Sequence, residues 1–180
     1  MNRGGECNIR AEMLALTYGC VVSQLIKDYN DLEEINKRLE LYGYNIGSRL
    51  IDEFLAKSNT EYCGSFKEIG EKIAKVGFKM FLGIEASVIT AKEDETKSFT
   101  LSFPENPLDM YVELPKNLQN LEYSNVICGA IRGALNAINL RVKCYFLKDK
   151  IRAKDSNAKS YEIYVELEQV IQPKIENYDN

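Results

Sequence analysis

The sequence predicts an α+β domain in which a helical layer packs on a small antiparallel sheet. Apolar residues recur at helical spacing from about residue 11 to residue 84, with Leu14, Val21 and Leu25 early and Ile69, Ile73 and Val76 late. Short runs at Ser87–Ala91, Lys97–Phe103, Arg141–Leu147 and Tyr161–Val170 read as strands, the last two by alternation. Between the two strand pairs lies one more apolar helical run, Ser124–Leu140.

The elements follow in order. Ala11–Asn30 is expected to form the first helix, with Leu14, Thr17, Val21 and Leu25 facing inward. Asp31 caps a second, carried by Leu32, Ile35, Leu39 and Tyr42, and Gly43 is expected to end it. A third helix restarts at Asn45, with Ile46, Leu50 and Phe54 on one face, until Ser58 and Asn59 break the pattern. A polar turn holding Cys63 follows, and Ser65 with Glu68 makes a capping box for the next helix. There Ile69, Ile73, Val76 and Met80 form an apolar stripe, while Gly70, Ala74 and Gly77 lie beside it as a row of small residues. That row predicts a groove, to be filled by a ligand or by bulky side chains from elsewhere. Pro104–Tyr123, with three prolines, reads as a functional loop or the seat of a short helix. In the fifth helix, Gly129 and Gly133 allow either close packing on a neighbour or one wall of the same cavity as the Gly70, Ala74 and Gly77 row.

Composition removes several function classes. The 180 residues suit one domain, expected over 11–170, with a flexible tail at 1–10 and a polar tail at 171–180. A net charge of −4 argues against a nucleic-acid partner. Lys148, Lys150, Arg152, Lys154 and Lys159 make a local basic patch, which reads as a solvated turn or as a weak attraction to anionic lipid. No run is long and apolar enough for a membrane span, and MNRGGECNIR is polar, with no signal-sequence pattern and Asn2 where myristoylation requires glycine. The chain is therefore expected in the cytoplasm.

Histidine is absent, which removes Ser-His-Asp and Cys-His catalysis and nearly every common zinc site. The five cysteines, Cys7, Cys20, Cys63, Cys128 and Cys144, are widely spaced and suggest neither a disulfide framework nor a metal knuckle. No metal and no catalytic residue is expected. Cys20, Cys128 and Cys144 fall in apolar or strand-like runs and read as packing, and Cys7 as an inert thiol in the tail. Cys63 differs, because it precedes a helix N-cap whose positive end favours the thiolate. It is either an ordinary turn thiol or an acceptor for a thioester.

Five blocks carry a further signal: LTYGCVVSQLIKDY (16–29), GYNIGSRLIDEFLAKSN (43–59), AKVGFKMFLGI (74–84), NPLDMYVELP (106–115) and SNVICGAIRGALNAI (124–138). In order and spacing the chain resembles the core acyl-bearing subunits of the TRAPP (transport protein particle) vesicle-tethering complex. The resemblance spans roughly Leu16 to Ile138 and continues weakly to about Val170. It implies the family's α+β plait and a palmitate-like acyl chain in thioester linkage at Cys63. The chain would be buried in a channel lined by Gly70, Ala74, Gly77, Gly129 and Gly133. It further implies a non-catalytic scaffold that forms a homodimer in isolation and pairs with related TRAPP subunits through its helical layer. The assembled complex would promote nucleotide exchange on a Rab-type GTPase in ER-to-Golgi traffic, peripheral to cis-Golgi and endoplasmic reticulum membranes. Tyr18, Tyr29, Tyr42 and Tyr44 are candidates for the paired surface, or are scattered amphipathic residues. The family's contact of the C-terminal tail with the GTPase has no matching motif in 171–180. The other function class is a thiol-dependent acyl-transfer enzyme or reversible lipid carrier using Cys63, for which Glu61, Lys67 and Glu68 are the neighbouring titratable groups.

Overall fold

The computed structural model describes residues 3–58, 65–89, 97–152 and 157–171. Helix α1 runs Arg3–Asp28 and α2 Leu32–Ser58. Helix α3, Phe66–Lys72, continues without a break as a π-helical stretch, Ile73–Leu82. Strands β1 (Ser87–Ile89) and β2 (Ser98–Phe103) follow, then α4 (Asn125–Ala137), β3 (Leu140–Lys148) and β4 (Tyr161–Val170). The four strands form one antiparallel sheet in the order β1-β2-β4-β3, so the two expected pairs are joined where β4 also pairs with β2.

The pleat sorts the sheet's side chains by face. Phe99, Leu101 and Phe103 on β2 stand opposite Val165, Ile163 and Tyr161 on β4, and all six are buried beneath the helices. The same core holds Phe66, Ala74 and Phe78 from the helix after Cys63, and Ile127, Cys128, Ile131 and Leu135 from α4. A second cluster joins Val22 and Leu25 of α1, Ile35 and Leu39 of α2, and Leu114, Leu121 and Tyr123 of the proline-containing segment. That segment holds one short 3-10 turn, Lys116–Leu118.

Three expectations are corrected. Gly43 does not end a helix: the expected second and third helices are one, α2, capped where Asp31 Oδ1 accepts from Glu33 N at 3.1 Å. A glycine inside a helix costs up to about 1 kcal/mol relative to alanine. Here Gly43 and Gly47 let the backbone of α2 lie directly against that of α4, since an added Cβ would overlap Val126 O or Ala130 O. The buried face of α2 therefore passes through Gly43, Gly47 and Ile51, while Ile46 is exposed. In α1 Leu25 is buried as expected, but Ala15 and Val22 are buried one position round from Leu14 and Val21, which are exposed. Finally, α1 begins at Arg3, within the segment expected to be a tail.

Candidate functional site

The site expected from the sequence centres on the helix after Cys63. Cys63 itself, with the rest of residues 59–64 where a turn is expected, lies outside the described residues. The helix start is as the capping box predicts: Ser65 is extended (φ −140°, ψ 154°) and its hydroxyl accepts from Glu68 N at 3.2 Å. This cap satisfies one of the free amide groups at the first turn.

From the cap the helix lies across the sheet. Phe66, Gly70, Ala74 and Phe78, spaced by four, are the buried positions, so the small-residue row faces the core. Phe66 packs on Phe99 with ring centroids 4.9 Å apart, and Phe78 on Phe103 at 5.1 Å. Phe103 in turn stacks on Tyr161. At Gly70 the expected groove is filled by a bulky side chain from the sheet, since an added Cβ would stand 2.9 Å from the Phe99 ring. Gly77 is roomier, its nearest neighbour for a Cβ being Phe54 at 3.6 Å. Gly77 also sits inside the π-helical stretch, a wider and rarer winding that recurs at functional sites. The stretch ends at Gly83, whose left-handed φ of 71° glycine adopts without penalty and whose N–H donates to Phe78 O.

Gly129 and Gly133 stand elsewhere. An added Cβ on Gly129 would overlap Glu40 O, and one on Gly133 would overlap Tyr44 O. These two glycines and the Gly43–Gly47 pair form one reciprocal seam between α2 and α4. Their missing side chains are occupied by backbone, so the close-packing reading replaces the channel wall expected of them.

A buried polar knot was not anticipated from the sequence. Asn106 donates from Nδ2 to Asp109 Oδ2 at 2.9 Å and to Ser124 Oγ at 2.7 Å, and Tyr161 Oη donates to Asp109 Oδ1 at 3.1 Å. Asn106 Oδ1 also accepts from Leu108 N at 3.1 Å, closing an Asx turn. The knot ties the irregular segment to α4 and β4. Burial raises the Asp109 carboxyl above its ordinary range, against the lowering effect of these hydrogen bonds and of Lys150. Burial and the nearby Asp109 together push the Tyr123 hydroxyl up to about 12. The available signal was the Asn-Pro-x-Asp spacing, which favours a turn.

The described residues contain no cluster of side chains able to hold a metal ion and no helix long and apolar enough to cross a membrane. A groove of about 620 Å³ lies between α1 and the 111–123 segment, and a cleft of about 380 Å³ beside β1 and β2. Neither is lined by Gly70, Ala74 or Gly77. Of the four tyrosines considered for pairing, three are engaged within the chain. Tyr18 Oη donates to Tyr123 O, Tyr29 lies under Arg38, and Tyr44 Oη accepts from Asn136 Nδ2 at 2.7 Å. Tyr42 is exposed.

Comparison with known proteins agrees with this geometry. Residues 14–166 match the family model described as transport protein particle (TRAPP) component. A trafficking protein particle complex subunit 3 of Dictyostelium discoideum is 49% identical over 168 residues, covering 93% of this chain and 88% of that one. The transport protein particle subunit bet3 of Schizosaccharomyces pombe is 44% identical over the same shares. Among solved structures, a trafficking protein particle complex subunit 3 from Naegleria fowleri, covalently bound to palmitic acid, matches with TM-score 0.84 and 44% identity, covering 92% of this chain and 99% of that one. With the family model spanning most of its length and the fold in agreement, the chain belongs to the TRAPP family.

Proposed function

We propose that the chain is a non-catalytic scaffold subunit of a TRAPP vesicle-tethering complex and carries a palmitate-like chain in thioester linkage at Cys63. The observation that carries this reading is the likeness, in sequence and fold, to a TRAPP subunit covalently bound to palmitic acid. The setting of the turn supports it, because Cys63 stands two residues before the capped start of α3, where the helix dipole favours a thiolate. Because Phe99 closes over Gly70, the acyl chain in this reading runs past Ala74 and Gly77, the latter lying within the π-helical stretch and meeting only Phe54 at ordinary contact distance.

The magnitudes favour a lipid held in the protein. Burying about fifteen acyl carbons at about 0.8 kcal/mol each gives roughly 12 kcal/mol gross, comparable to what a bilayer offers. A chain tethered at the mouth of its own cavity meets that cavity at a high effective concentration, which tips the balance toward the protein. The lipid then belongs to the core and does not anchor the protein. In this reading the chain joins related TRAPP subunits through its helices, and the assembled complex, at cis-Golgi and endoplasmic reticulum membranes, promotes exchange on a Rab-type GTPase.

The test is intact mass spectrometry of protein made in a eukaryotic cell. The wild type is expected to carry a stoichiometric, hydroxylamine-sensitive acyl mass. Cys63→Ser is expected to fold, lose that mass and melt several degrees lower, since a cavity replaces core volume. A hydroxylamine-labile acyl group persisting in the variant would overturn the assignment to Cys63, and a thioester that turns over with added acyl donor would favour an acyl-transfer enzyme.

A further inference from the structure

We draw no further inference here: the strongest candidate, the groove of about 620 Å³ between α1 and the 111–123 segment with the exposed Cys20 on its wall, carries nothing because no feature of the structure shows what covers it.

Discussion

Gly129 and Gly77 are chemically identical and face opposite demands. At Gly129 the missing Cβ admits the backbone of α2 at Glu40, and nothing there can give way. Gly129→Ala is therefore expected to destabilise the fold by about 1–3 kcal/mol through overpacking, read as a lower urea midpoint. At Gly77 a Cβ would make an ordinary contact with Phe54, so Gly77→Ala should be neutral or stabilising by up to about 1 kcal/mol. A similar loss in both variants would contradict this division. Asp109 offers a second test at this scale. Its carboxyl titrates above the ordinary aspartate range in the folded chain, so the folded state holds the proton more tightly than the unfolded state does. Its contribution is fully present below the unfolded value and is lost as pH rises through the folded one. The stability of the wild type relative to Asp109→Asn should fall as pH is raised through that window. A pH-independent difference in urea titrations would show that the carboxyl is not perturbed in this sense.

The helix after Cys63 shows how an element is placed by two kinds of signal. Its start is local, since Ser65 supplies the cap and Glu68 the amide it accepts from. Ser65→Ala is expected to cost about 1 kcal/mol in thermal or urea denaturation. Its rotation about its own axis is not local. The Ile69, Ile73, Val76 and Met80 stripe has the greater apolar content, yet Phe66, Gly70, Ala74 and Phe78 face the sheet. The sheet presents Phe99 and Phe103 there, and large rings fit best over small helical residues. Helix α2 makes the same point, because a glycine that usually punctuates a helix serves here as its contact surface with α4.

At the scale of the molecule, the helical layer leaves large apolar side chains in solvent. Met13, Leu16 and Val21 on α1, and Leu41, Tyr42 and Ile46 on α2, are all exposed. Apolar area of this kind favours a second protein surface over water. The isolated protein is expected to self-associate as a dimer at micromolar concentration. Leu16→Glu combined with Ile46→Glu should shift it toward monomer in sedimentation without lowering the unfolding midpoint. A wild-type monomer at that concentration would remove these helices from the pairing surface.

The sequence by itself determined the element types, the antiparallel sheet, the Asp31 and Ser65 caps and the family. All of these rest on short-range physics or on collinear motifs: period, capping and turn chemistry act within a few residues. The tertiary structure alone decided which faces are buried, that α2 passes unbroken through Gly43, and that Gly129 and Gly133 serve a helix crossing. It also decided that Phe99 fills the space over Gly70, and that Asn106, Asp109, Ser124 and Tyr161 meet in one knot. The physical reason is that a missing side chain records only that something comes close. Whether that something is a backbone, a ring or a lipid depends on residues tens of positions away, which only the folded chain brings together.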